Sequence, residues 1–236
     1  LFSAQYFGQK NHNGVRDVFR MKILIGITII AISLSVMIFL HEPLINMFLH
    51  EGSSSGNIQE TFNYAKNYLY IMVIGIAPFV ISNCYNTTLK ESGQTVVPMK
   101  AGVLAVVFDI VLNYIFIFGK LGFPAMGVVG AAIATVISRF VECGYLVIYT
   151  HIHSNDYPFI KHCYRTLKIP GSLVKKIIVT GAPLMLNEFL WAGGLTLQTQ
   201  ALSTKGLATV GGLNICNTIG NISNCIFVTM GTTIAI

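Results

Sequence analysis

Two oxygen-bearing side chains, Asp109 and Asn113, lie in an apolar stretch long enough to span a bilayer. Their i,i+4 spacing places both on one face of a helix. A carboxylate inside a membrane is costly, so it usually has a function there. The pair could supply oxygen ligands for Na⁺ or a site for a proton, because burial favours the neutral form of a carboxyl group. The alternative is a hydrogen bond that only holds helices together.

Glu188 is a second isolated carboxylate, and it follows Pro183 in another apolar stretch without a nearby cationic residue. Met185 at i−3 and Trp191 at i+3 share its helix face. Trp can stack on a cation and Met adapts to varied shapes. We therefore expect these three residues to contribute to a cavity for a lipophilic organic cation. The alternative is a permanently protonated Glu that donates to a backbone carbonyl.

Other polar residues favour structural interpretations. Arg139 and Glu142 are spaced i,i+3 and can neutralise each other. A polar segment contains three His and one Cys, namely His151, His153, His162 and Cys163. They lack the compact spacing of zinc sites, so we expect a solvated loop and no metal. The sequence has no phosphate-binding loop, His-Glu-x-x-His motif or nucleophile elbow, and we therefore expect no enzyme activity.

Composition indicates a membrane protein. The chain is 53% hydrophobic and 10% charged, against roughly 25% charged residues in soluble domains. The net charge of +6 does not predict nucleic-acid binding, because the cationic residues are confined to a few loops. Apolar segments of about 20 residues predict six spanning helices, at 23–40, 66–89, 101–118, 127–149, 177–202 and 207–236.

The cationic residues also predict an orientation. Lys and Arg are concentrated in the first, third and fifth connections and are sparse in the others. By the positive-inside rule, the basic connections face the cytoplasm. Small residues in the fourth span predict close helix packing, at Gly127, Gly130, Ala131 and Ala134. Both ends of the chain fall where a longer sequence would continue, so we expect an internal fragment.

Several blocks of residues resemble the multidrug and toxic compound extrusion (MATE) family. The central blocks are Lys90-x-x-Gly93-Gln94-Thr95-x-x-Pro98-Met99 and Gly122-Phe123-Pro124-x-x-Gly127-x-x-Gly130-Ala131-Ala132-x-Ala134-Thr135. A later block is Ala182-Pro183-x-x-x-Asn187-Glu188-Phe189. The resemblance extends over essentially the whole chain, and the central blocks are the most specific part.

The resemblance implies an all-α, polytopic membrane fold of twelve helices in two lobes around a central cavity. Residues 1–150 would be part of the N-lobe, with the end of helix 2 and helices 3–6. Residues 151–176 would be the cytoplasmic loop between the lobes. Residues 177–236 would be part of the C-lobe, with helix 7 and most of helix 8. Helices 1–2 and 9–12 would be the missing remainder of the same chain.

The resemblance also implies roles for individual residues. The family's N-lobe cation site uses an Asn and an Asp one turn apart on helix 5, and here Asp109 and Asn113 stand in the swapped order. Thr135 matches a helix 6 position near that site. Glu188 matches the acidic residue of helix 7 that serves coupling in the C-lobe.

The implied function is export of amphipathic, cationic organic compounds by alternating access. The driving force would be H⁺ or Na⁺, with no other cofactor, in the cytoplasmic membrane of a bacterium. A flippase for lipid-linked saccharides of the same superfamily is the alternative, and a strongly basic cavity would favour it. An intramembrane enzyme would need several catalytic groups at one depth.

Overall fold

A computed structural model describes residues 2–49, 58–157, 159–161, 163–164, 169–205 and 207–234. Within these ranges the chain consists of helices joined by turns, with no strand. The helices are α1 (Phe2–Gly8), α2 (His12–Phe39), α3 (His41–Asn46), α4 (Ile58–Glu91), α5 (Val96–Phe118), α6 (Val128–Ile152), α7 (Gly171–Ser203) and α8 (Leu207–Ile234). The predicted all-α class is confirmed.

Four helices, α2, α4, α5 and α6, are long and apolar enough to cross a membrane. They coincide with the first four predicted spans. The fifth and sixth predicted spans fall on α7 and α8, which have 33 and 28 residues. As far as they are described, these two helices are not among the four, so their crossing of the membrane stays a prediction.

Several helices begin before the apolar stretch that predicted them. α2 starts at His12, so much of the predicted basic connection before residue 23 is helical. α5 starts at Val96, which shortens the predicted third connection, residues 90–100, to residues 92–95. Hydropathy marks the length of the apolar surface, whereas backbone hydrogen bonds continue the helix beyond it.

Residues 119–127 join α5 to α6. Gly119 ends α5 with a left-handed φ of 65°, and its amide group donates to the carbonyl of Ile115. A Cβ atom at Gly119 would lie 2.6 Å from the backbone nitrogen of Ala125. Glycine suits both requirements, since it adopts this conformation at little cost and leaves room for the returning chain.

Small residues of α6 then allow it to pack closely on α5. A Cβ atom at Gly130 would lie 2.8 Å from the backbone carbon and oxygen of Phe116, and Ala134 is fully buried. The predicted close packing is confirmed at these positions. Gly127 instead precedes α6 with a φ of 54° and open space around its Cβ position, so it serves the turn and not the packing.

Glycines also mark the contacts of α4 with α2 and α6. A Cβ atom at Gly26 of α2 would lie 2.9 Å from Val80, and one at Gly75 of α4 would lie 3.1 Å from Val136. α4 continues through Pro78 as one helix. These approaches bring three of the apolar helices together.

The segment after α6 is packed against the helices and is not the solvated loop that the sequence predicted. Tyr157, Phe159, Ile160 and Cys163 are all buried. They join a hydrophobic cluster with residues of α2, α4, α5 and α6, including Val15, Phe19, Tyr85, Leu89, Val97 and Leu146. The ring of Phe159 packs edge-on against Phe19, with centroids 5.6 Å apart. We call the described residues 153–157, 159–161 and 163–164 the docked segment.

Polar contacts hold the docked segment at the basic end of α2. Arg20 donates from Nε to the carbonyl oxygen of Cys163 at 2.8 Å and forms an ion pair with Asp17 at 3.1 Å. The hydroxyl groups of Tyr85 and Tyr164 are hydrogen-bonded to each other. The docked segment is therefore held by a hydrogen bond to its backbone and one to Tyr164, in addition to its buried apolar side chains.

The chain divides into two compact units. The first contains residues 1–39 and 67–180, and the second contains residues 40–66 and 181–236. The lobe boundaries predicted from the resemblance, after residues 150 and 176, stay a prediction.

Candidate functional site

α5 carries the first candidate pair. The helix is continuous from Val96 to Phe118, so Asp109 and Asn113 lie one turn apart on it, as their spacing predicted. Both residues are half-buried. Within the described residues, Asp109 is not part of an ion pair. Its carboxylate is therefore available to a cation.

α6 brings a serine to Asp109. The hydroxyl oxygen of Ser138 lies 3.4 Å from Oδ1 of Asp109 and 2.8 Å from the carbonyl oxygen of Thr135. Ser138 is only 5% exposed. The structure thus adds a third oxygen-bearing residue to the site, and this residue was missed in the sequence. A serine in a spanning helix usually bonds its own helix, and no local pattern shows that it also faces α5.

Thr135 lies on the same helix, one turn before Ser138. It is half-buried and borders a cavity of about 190 Å³ between α4 and α6. The other residues lining this cavity are Met72, Gly75, Ile76, Phe79, Val136 and Arg139. Thr135 is linked to the Asp109 site through the hydrogen bond from Ser138 to its backbone.

Arg139 and Glu142 form the predicted pair, with Nη1 3.4 Å from Oε2. The guanidinium group of Arg139 also lies over the ring of Phe79, 4.7 Å from its centroid. This cation therefore has a carboxylate and an aromatic partner of its own, and the structural interpretation of the pair is supported.

α7 carries the second candidate group. The helix is continuous through Pro183, so Met185, Glu188 and Trp191 follow one stripe of its surface. All three are exposed, with Met185 at 70% and Trp191 at 65%. Glu188 belongs to the second compact unit and Asp109 to the first. The predicted cation and substrate roles of these residues stay predictions.

His151 and His153, near the end of α6, have partners of their own. A ring nitrogen of His151 contacts the carbonyl oxygen of Val147 at 2.8 Å, and one of His153 contacts that of Tyr149 at 3.0 Å. His162 lies outside the described residues. In the part of the chain that is described, no group of three or more His, Cys, Asp or Glu residues could hold a metal ion.

Long apolar helices, glycine-mediated helix contacts and a carboxylate inside a span together define a polytopic α-helical membrane protein. The MatE family profile matches residues 1–115, which include the α5 pair. The chain belongs to the MATE family, as the resemblance predicted.

Several bacterial proteins are similar to this chain over most of its length. The "Probable multidrug resistance protein NorM" of Thermotoga maritima is 30% identical over 212 residues, which is 90% of this chain and 43% of that protein. The protein of the same name from Halalkalibacterium halodurans is 29% identical, over 88% of this chain and 43% of that protein. The "Probable multidrug resistance protein YoeA" of Bacillus subtilis is 28% identical, over 80% of this chain and 40% of that protein.

The chain therefore spans less than half the length of the relatives it matches. No solved structure matches it significantly.

Proposed function

We propose that this chain is part of a cation-coupled antiporter that exports amphipathic, cationic organic compounds. The observation that carries the proposal is the Asp109 carboxylate, which lies in a membrane span, faces Ser138 across 3.4 Å and has no ion pair among the described residues. The names of the relatives, as multidrug resistance proteins, support export of drugs.

Binding of the cation to Asp109 would change the preferred conformation of the protein, because it removes the energetic cost of a charged carboxylate in the bilayer. An ionised carboxylate inside the bilayer is expensive, and binding of H⁺ or Na⁺ removes most of that cost. A conformation that opens Asp109 to water is therefore favoured when the site is empty, and a closed one when it is loaded. A ligand that binds two conformations unequally shifts their populations, which is the basis of alternating access.

Glu188, Met185 and Trp191 would recognise the exported compound. A carboxylate attracts an organic cation, an indole ring can stack on it, and a thioether adapts to its shape. Protonation of Glu188 would remove the attraction, so a proton and the compound would compete for this stripe of α7. Asn113 and Thr135 would contribute to cation binding beside Asp109.

The rest of the machinery would come from the remainder of the same protein chain. We propose that six helices, corresponding to helices 1–2 and 9–12 of the family, complete the two lobes in the cytoplasmic membrane of a bacterium. In this assignment residues 1–150 belong to the N-lobe and residues 177–236 to the C-lobe. The acidic residues in the spans disfavour the alternative of a flippase for lipid-linked saccharides, whose anionic cargo needs a basic cavity.

Gradient-driven efflux tests the proposal. The protein expressed from its complete reading frame is placed in vesicles, and efflux of a fluorescent organic cation is followed under a pH gradient or a Na⁺ gradient. We expect one gradient to drive efflux, and Asp109→Asn and Glu188→Gln each to reduce the rate by about 5- to 150-fold, the usual range of coupling between two sites.

The matched control is Asp156→Asn, which removes a carboxylate from an exposed turn and should leave efflux unchanged. Gradient-driven efflux that survives both span substitutions would show that these carboxylates are only structural.

A further inference from the structure

The hydroxyl group of Ser138 has one hydrogen and two acceptors within reach. The carbonyl oxygen of Thr135 is 2.8 Å away, and Oδ1 of Asp109 is 3.4 Å away. A hydrogen bond between oxygens is usually 2.5–3.0 Å long, so the shorter contact takes the hydrogen. The oxygen of Ser138 then presents a lone pair to Asp109.

Two oxygen lone pairs that face each other repel unless a positive charge lies between them. A proton on Asp109 would let the carboxyl group donate to Ser138. A Na⁺ ion would bind both oxygens, and a spacing of 3.4 Å suits neighbouring ligands on an ion with oxygen contacts of about 2.4 Å, as for the similarly sized Ca²⁺. Either occupant converts the repulsion into attraction.

We infer that Ser138 is a cation-binding residue of the Asp109 site and supplies the second oxygen for the H⁺ or Na⁺ that neutralises the carboxylate. The inference rests on the proposed role of Asp109 and adds a residue on α6 to it. While a cation occupies the site, the Ser138 hydroxyl group would continue to donate to the carbonyl oxygen of Thr135. When the site is empty, the hydroxyl group would have to rotate towards Asp109.

The other charged groups of α2, α4, α5 and α6 pair with each other or lie outside the middle of their helices. α6 contributes Arg139 and Glu142, which pair with each other. α5 contributes Lys100, nine residues before Asp109 and so about 13 Å along the helix axis. The charged residues of α4 lie in its first nine residues and its last two, at Glu60, Lys66, Lys90 and Glu91, and those of α2 lie in its first eleven residues, at Arg16, Asp17, Arg20 and Lys22. Ser138 is thus the polar side chain that faces Asp109 from the packed helix.

A purely structural role for the Ser138 hydroxyl predicts a different result. Ser82 of α4 provides the comparison, because it is also buried and also donates to the carbonyl three residues earlier, that of Phe79, at 2.9 Å. Ser82 has no carboxylate partner among the described residues. Substituting each serine by alanine removes the same local hydrogen bond, but only one substitution changes the cation site.

The test measures cation binding without requiring transport. The thermal unfolding temperature of the purified full reading-frame protein is recorded against Na⁺ concentration at alkaline pH, and against pH without Na⁺. A ligand that binds only the folded state raises this temperature as its site fills. One of the two titrations should raise the unfolding temperature of the wild type but not that of Asp109→Asn. That titration identifies the cation.

In that titration, we expect Ser138→Ala to need about three- to tenfold more cation for the half-maximal rise, which corresponds to the loss of one hydrogen bond or ligand contact. Ser138→Cys, with a weaker acceptor of similar size, should shift the midpoint in the same direction. Ser82→Ala should lower the unfolding temperature at every cation concentration without moving the midpoint.

An unchanged midpoint in Ser138→Ala, a lowered one, or an equal shift in Ser82→Ala would overturn the inference. So would the absence of any rise that depends on Asp109. If the midpoint shifts as expected but no gradient drives efflux, the proposed antiport fails while the cation site stands.

Discussion

Arg139 shows how this chain holds a charge in a membrane span without using it for chemistry. Its guanidinium group has Glu142 at 3.4 Å and the face of Phe79 at 4.7 Å. Breaking a partly buried pair leaves the other charge without compensation, which accounts for the presence of both residues. α5 and α6 carry two carboxylates, and one of them, Glu142, is paired with Arg139. Asp109 is therefore the one that remains open to a cation.

Gly130 fixes how α6 meets α5, and its substitution tests that contact. A Cβ atom there would lie 2.8 Å from backbone atoms of Phe116, which cannot move aside as a flexible side chain could. We expect Gly130→Ala to destabilise the protein by about 1–3 kcal/mol, the usual cost of overpacking. Thermal or denaturant unfolding of the purified protein would measure it.

Gly144, on the same helix, is the matched control. A Cβ atom there meets nothing within 4 Å, so Gly144→Ala should be neutral or stabilise by up to about 1 kcal/mol through helix propensity. Equal destabilisation by both substitutions would contradict the close contact at Gly130.

The sequence could predict part of the candidate site. Asp109 and Asn113 lie on one helix, and the period of the helix alone places them together. Ser138 could not be predicted, because it reaches Asp109 only in the register that the contact of Gly130 with Phe116 sets between two helices. Distances across helices depend on such packing, which no local pattern contains.

At the scale of elements, the docked segment is the largest departure from the sequence-based prediction. Its His, Asp, Asn and Lys residues give it the average polarity of a loop, and that average conceals Tyr157, Phe159 and Ile160. These three are buried with α2 and α4 residues. The four apolar helices were predicted well, since a span of uniform apolar composition is visible in any window along it.

Alkylation of Cys163 tests the docking of this segment. The thiol is 1% exposed, and burial raises its pKa above the ordinary value, an effect that outweighs the nearby Arg20. Since the thiolate is the nucleophile, a raised pKa reduces its fraction at neutral pH. We therefore expect Cys163 to react slowly with a maleimide at neutral pH and faster as the pH rises through the ordinary thiol range and beyond.

Phe159→Ala should increase that rate at least about tenfold, because losing a buried phenyl ring weakens docking by about 3–5 kcal/mol. Mass spectrometry of the Cys163 peptide separates it from the other four cysteines. Ile152→Ala, which truncates an exposed apolar residue at the end of α6, is the control. Rapid labelling of the unaltered protein, or equal acceleration by both substitutions, would contradict the docking.

At the scale of the whole molecule, the distribution of charged residues along the apolar helices predicts one orientation in the membrane. Cationic residues are concentrated at the end of α2 that holds the docked segment, where Lys22 pairs with Glu91 at 2.6 Å and Arg20 bonds Cys163. By the positive-inside rule we expect this end to face the cytoplasm, which stays a prediction. Asp109 is separated from the basic residue Lys100 by about 13 Å of helix, so we expect it to lie inside the bilayer if Lys100 is at the interface.

Substrate-evoked cation movement tests the central claim most directly. Vesicles that contain the full reading-frame protein and a trapped indicator of pH or Na⁺ receive a pulse of a lipophilic organic cation, without an imposed gradient. In an antiporter, entry of the compound must drive the coupling cation out, so the internal concentration of that cation should fall. We predict this response for the wild-type protein and for Asp156→Asn, and its loss in Asp109→Asn. An unchanged response in Asp109→Asn would contradict the account, because the cation would then be carried by another group.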